Sequence, residues 1–215
     1  NSTPPSIPFI KLIKNWPFLS IAVATFCNNW ALFTFISYLP KFINAPIADG
    51  GMGIDLGSSA FIYSLLMPSL VAMFSLILGG YISDSFIKKG YKVIYVRKTV
   101  NSIGFFGSAI FLYLISLQDT LFNAIFLLCL IQLCTGICAG GFGVNHADLG
   151  PKYTGTLVGI SGSIGMIAAI FSPMVAGLVL EVTSSWDIIF YICSGILVFG
   201  GLFYLKFGSA DRQFS

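Results

Sequence analysis

Charge is what this sequence has least of. Only 9% of its 215 residues are Asp, Glu, Lys or Arg, against about 25% in an ordinary soluble domain. With 56% AVILMFWYC and a mean hydropathy of +0.91, there is too little polar surface to wrap a water-soluble globule, and the same figures exclude disorder. There is a single histidine, and no nucleophile elbow, phosphate loop or paired-carboxylate arrangement occurs. No catalytic residue is assigned and the chain is not expected to be an enzyme. Cys27, Cys129, Cys134, Cys138 and Cys193 all fall inside apolar runs, where a thiol behaves as a small hydrophobe, so no disulfide framework is readable. Cys134 and Cys138 at i, i+4 have no histidine or acid on their face, and neither a metal nor a cofactor is expected.

What is present is long neutral stretches. Between charged residues lie six uninterrupted runs, 15–40, 56–83, 99–118, 120–147, 153–180 and 188–205. Roughly 20 apolar residues cross a hydrocarbon core of about 30 Å as a helix, and neither the wide polar faces of a soluble bundle nor the alternation of a barrel is seen. The fold class expected is an all-α membrane protein of six transmembrane helices, at about 17–39, 58–83, 99–117, 121–144, 155–180 and 187–207. A tail at 1–15, a domain at 16–208 and a second tail at 209–215 complete the division. Nine of the eleven basic residues fall in the two tails and in the 84–98 and 145–154 loops, a tenth, Lys206, lies at the end of the last helix beside the second tail, and only Lys41 is on the other side. The positive-inside rule therefore puts both ends in the cytosol, or in the stroma of a plastid. The net charge of +3 reflects this topology, so the lipid bilayer is a partner and nucleic acid is not.

Polar groups at depth are the candidates for function. Asn28 and Asn29, followed by Trp30, fall at the middle of the first span, where amides are costly unless they face a cavity or another helix. A substrate-facing role and interhelical hydrogen bonding stay equally open, and neighbours about 100° apart on a helix can divide the two. Tyr63 on the second helix is a further cavity candidate. The first helix is expected to stop at Pro40, and Trp186 to anchor the sixth at the outer interface. At the end of the second helix, Asp84 beside Lys88 and Lys89, with Arg97 following, could form a charge lock that differs between conformations. Asn145, His146 and Asp148 cluster at the cytosolic mouth, as a capped loop or as a proton relay. Gly136 with Gly140 and Gly155 with Gly159 have the spacing that lets helix backbones approach. An intramembrane hydrolase has little to work with here, which leaves transport.

The string GGYISDSFIKKG resembles the G-x-x-x-D-(basic) loop of the major facilitator superfamily, in its copy between helices eight and nine. FCNNW, VRKTVNSIGFFG, GFGVNHADLGPKYTGTLVGIS and SSWDIIFYI together resemble the anion:cation symporter family, from about Trp16 to Asp211. That family includes sialin, the vesicular glutamate transporters and the sodium/phosphate cotransporters, and the resemblance extends in particular to the plant chloroplast phosphate and ascorbate transporters. The resemblance implies the C-terminal half of a carrier, two inverted three-helix repeats, moving small organic or inorganic anions by alternating access. Sodium, protons or membrane potential would drive it. It also implies that Asn28, Asn29, Trp30 and Phe33 line the central cavity, shared with an N-terminal six-helix half of the same polypeptide. The chain, opening at Asn1 without an initiator methionine, reads as a piece of that longer protein. Where the glutamate carriers have an arginine, this sequence has Asn28, which argues against glutamate and puts any cationic anchor in the other half. A non-transporting receptor or scaffold derived from a carrier is the alternative.

Overall fold

The computed structural model describes residues 9–118 and 120–214. Most of the expected first tail, Asp119 in the fourth helix's leading turn and position 215 lie outside the described residues. The order of α-helices is α1 (Phe9–Ile13), α2 (Trp16–Asn44), α3 (Ser59–Lys88), α4 (Val93–Ile115), α5 (Leu121–Ile137), α6 (Asn145–Leu149), α7 (Thr154–Thr183) and α8 (Trp186–Phe207), with no strand among the described residues. Among the described residues six segments are long and apolar enough to cross a membrane: α2, α3, α4, Leu121–Leu149, Pro151–Thr183 and α8. The expected all-α architecture of six membrane-spanning helices is what the structure shows.

Local chemistry explains the starts. The Asn15 side chain accepts the Phe18 N–H at 2.9 Å, with Pro17 in the first turn of α2, and the Ser58 hydroxyl accepts the Phe61 N–H at 3.2 Å, each satisfying an orphan donor of a helix N-terminus. The ends depart from expectation. Instead of stopping at Pro40, α2 continues to Asn44. Its last carbonyls are taken up by the returning chain, Met52 N–H to Phe42 at 3.1 Å, Gly53 to Ala45 at 2.8 Å and Ile54 to Ile43 at 3.0 Å, which satisfies a helix end lying past the proline. Likewise α3 runs on to Lys88 and α4 begins at Val93, which shrinks the expected 84–98 loop to four residues turned by Gly90 at φ +91°, a conformation glycine adopts without strain. Arg97 thereby lies inside α4 and is buried. The fourth span is α-helical only to Ile137; a 3-10 turn at Cys138–Gly140 and the short α6 complete it.

The packing has a two-fold logic. α2 packs on α7 and α8, α5 packs on α3 and α4, and α4 packs on α8. Exchanging the first three spans for the last three leaves this pattern unchanged, as two three-helix repeats would, and three crossings per repeat invert the second relative to the first. α4 and α8 form a back layer, whose side chains Phe105, Leu112, Cys193 and Leu197 join Ile21, Ala24 and Leu128 in the core. Trp186 belongs to this interior: it is 4% exposed and sits edge-on to Phe42 at 5.3 Å, so it is a core residue rather than the interfacial anchor expected. α3 and α7 are the least covered spans, 17% and 22% buried against 39% or more in the other four.

Candidate functional site

Midway along α2 the two neighbouring amides take different directions. The Cys138 thiol lies 3.6 Å from Asn28 Oδ1, pointing Asn28 at the broken end of the fourth span. Asn29 reaches α7, where a Cβ on Gly165 would come within 2.7 Å of Asn29 Nδ2, and no hydrogen bond from this side chain is found among the described residues. Both are half-buried. Asn29, Leu32, Phe33 and Ile36 fall on one stripe of α2 by helical spacing, and Leu32 and Ile36 are 38% and 63% exposed. One turn beyond Asn28, Leu32, Ile36, Pro68, Ser69 and Gln132 line a cleft of about 170 Å³ between α2, α3 and α5. Of these, Gln132 is a residue that the sequence reading missed. Gln132 carries the same signal as Asn28, an amide in the middle of a span, masked by the surrounding FLLCLI.

Two cavity candidates go elsewhere. Trp30 packs on Phe26 at 5.8 Å and lines the seam of α2 with α7 and α8 beside Ser172, Ala176 and Cys193, one step of about 100° round the helix from Asn29. Tyr63 is exposed on α3 and is not among the residues lining the cleft, where Leu65, Pro68 and Ser69 represent that helix.

The second constellation gathers at one end of the bundle, around Asn145, His146 and Asp148. The Arg97 guanidinium donates from Nε to Asp148 Oδ2 at 2.9 Å, from Nη2 to Asp148 Oδ1 at 3.4 Å, and from Nη1 to Ser83 Oγ at 2.6 Å and the Gly140 carbonyl at 3.0 Å. One side chain thus joins α3, α4, the 3-10 turn and α6, and the forked geometry suits arginine alone. Asn145 Nδ2 donates to Tyr204 Oη at 2.6 Å, tying α6 to α8. His146 meets the Gly143 carbonyl through Nδ1 at 3.0 Å and Ser161 Oγ through Nε2 at 2.7 Å, tying α6 to α7. In the neutral ring the carbonyl, an acceptor only, requires the hydrogen on Nδ1, which leaves Nε2 to accept from the serine. The Gln213 and Phe214 N–H groups reach the Leu149 carbonyl at 2.8 and 3.1 Å, so part of the expected second tail folds back onto this end.

This arrangement changes the pairing anticipated. Among the described residues Asp148 is committed to Arg97 and His146 to Ser161, so histidine and acid are not brought together. Asp84, Lys88 and Lys89 are exposed and make no ion pair among the described residues; Lys89 Nζ instead lies 5.6 Å from the Phe86 ring. Of the glycines, a Cβ on Gly136 would strike Ser75 and one on Gly140 the Gly79 carbonyl, so α5 and α3 touch backbone to backbone there. Gly155 and Gly159 meet nothing within 4 Å and pack on no helix of the described chain; Gly165 and Gly177, against Asn29 and Tyr38, serve the α2–α7 contact instead. No group of three or more metal-ligating side chains occurs among the described residues.

No protein-family model matches the chain. Relatives cover almost all of it. It is similar to the probable anion transporter 4, chloroplastic, of Oryza sativa subsp. japonica, 28% identical over 96% of this chain and 34% of the relative. To sialin of Homo sapiens it is 28% identical over 99% of this chain and 42% of the relative. To the probable small intestine urate exporter of Homo sapiens it is 31% identical over 97% of this chain and 41% of the relative. The chain spans about two fifths of the length of the curated relatives it matches. The resemblance read from its motifs is thus to the right group of proteins, the anion transporters.

Proposed function

We propose that this relative of the anion transporters is one six-helix half of a secondary carrier for small organic or inorganic anions, working by alternating access with sodium, protons or membrane potential as the driving force. The observation that carries this reading is the open stripe of α2, with two mid-span amides at its base and a cleft beside it into which Ser69 and Gln132 bring polar groups, flanked by the two least covered helices. A six-helix unit that leaves its least covered helices on the side of its mid-span amides needs a second body there. An anion in a low-dielectric site needs a cationic host, and the only charged side chain buried among the described residues, Arg97, is already neutralised by Asp148. The cationic anchor is therefore assigned to the other half, with Asn28, Asn29, Phe33 and Gln132 shaping the near wall and supplying neutral donors and acceptors. The cluster around Arg97 holds the helix ends on that side together, and Asp84 with Lys88 faces outward to engage the mate. Names of relatives speak for carriers rather than enzymes.

The experiment is uptake by liposomes containing the full-length protein, offering phosphate, ascorbate, sialic acid, urate and glutamate under imposed sodium, pH and voltage gradients. Gradient-dependent accumulation of at least one of these is expected. Binding of an anion without accumulation under any gradient would favour the receptor alternative.

A further inference from the structure

On the other side of α3 from Asp84 lies a groove that the transport reading does not use. Residues two apart on a helix point about 200° away from each other, so Ile82 and Phe86 turn their backs on Asp84. With Tyr91, Tyr95, Thr99 and Ile103 they line a groove of about 280 Å³ between the end of α3 and the start of α4, close to the lower limit of about 300 Å³ for ligand-sized clefts. Its walls are apolar and open to the outside: Tyr91, Tyr95 and Ile103 are more than half exposed. Its rim is basic. Lys89 Nζ lies 5.6 Å from the Phe86 ring centroid and Lys92 Nζ 6.0 Å from that of Tyr95, so two ammonium groups are held over two of the groove's own walls, and no acid pairs with either among the described residues.

We propose that this groove is a site for one anionic phospholipid, its acyl chain lying along Ile82, Thr99 and Ile103 and its phosphate held by Lys89 and Lys92. An apolar trough running from tyrosines and lysines toward the middle of two membrane-spanning helices matches a lipid's own order from headgroup to tail. A soluble anion would leave the trough unfilled, and a zwitterionic lipid would bring no net charge to the two ammonium groups. The inference is independent of what the protein carries.

Native mass spectrometry of the delipidated full-length protein, titrated with phosphatidylglycerol and with phosphatidylcholine of matched chains, tests it. Phosphatidylglycerol should bind more tightly than phosphatidylcholine. The variant K89S/K92S should lose about thirtyfold in phosphatidylglycerol affinity with little change for phosphatidylcholine, while T99W, which fills the trough, should weaken both. The control K14S/K206S removes the same charge elsewhere and should change neither. Equal affinity for the two lipids, an equal loss in the control, or full displacement by glycerol phosphate would overturn the proposal. A photoreactive acyl chain should crosslink to the 95–103 segment, whichever variants fold well; crosslinks confined to other helices would overturn it too.

Discussion

Arg97 is 6% exposed, and its charge is tolerated there because four hydrogen bonds and one carboxylate answer it. Removing the carboxylate alone leaves a buried cation uncompensated, which costs roughly 3–5 kcal/mol. Asp148→Asn should therefore lower the melting temperature of the detergent-solubilised protein by the equivalent of about 3 kcal/mol, and R97M/D148L should recover most of the loss. A single variant as stable as the parent would show that the pair carries no structural weight. Asn28, by contrast, hydrogen-bonds only weakly, to a thiol. Asn28→Ala in the full-length protein is expected to change transport affinity or selectivity with insertion intact, and unaltered uptake kinetics would remove it from the site. The amides and the α6 polar residues were legible in the sequence because polarity inside an apolar run is a local signal. Their partners were not: Arg97 and Asp148 stand 51 positions apart, and distance along a chain says nothing of which two helix ends will meet.

At the scale of elements, hydropathy locates spans well and ends poorly. The six runs were bounded by charged residues, yet a helix carries charges in its last turns once it leaves the hydrocarbon, so α3, α4 and α7 extend past the boundaries drawn from charge. The fourth span fails in the opposite way, since Gly140 and Gly141 give up helical continuity for contact with the backbones of α3 and α4. G-x-x-x-G spacing reports a capacity for close approach and not its use. Gly140→Leu should break the α3–α5 contact, with an overpacking cost of about 3 kcal/mol and visible loss of folded protein on size-exclusion chromatography. Gly159→Leu, on an open face of α7, should leave thermal stability near parental when the six-helix chain is expressed by itself and, on the proposed function, reduce uptake by the full-length protein. If Gly159→Leu destabilises the isolated chain as much as Gly140→Leu, that face of α7 is not free.

For the molecule as a whole, exchange of the two triplets maps the α4–α8 seam onto itself, while α2 and α5 each hold one outer and one back helix of the other triplet. Such a body can move as a unit against a mate, and the exposed Asp84 is then placed to make or break an ion pair as it does so. Asp84→Asn should shift the balance between inward-open and outward-open states, read as altered alkylation rates of a cysteine at the exposed Ser37 on α2; unchanged rates would count against the latch. Sidedness is the broader test, because both the charge argument and the lipid groove depend on it. The α3–α4 connection, with Lys88, Lys89 and Lys92, should face the cytosol or stroma, and the α2–α3 connection, with Asp49 and Asp55, the opposite compartment. Four of the five native cysteines are buried, so an introduced thiol can be read against a low background. With Cys129 replaced by alanine, K92C should react with an impermeant maleimide only after the membrane is opened in right-side-out vesicles, whereas D49C should react at once. The reverse pattern would invert the assignment and place the basic rim of the groove on the wrong leaflet for an anionic headgroup.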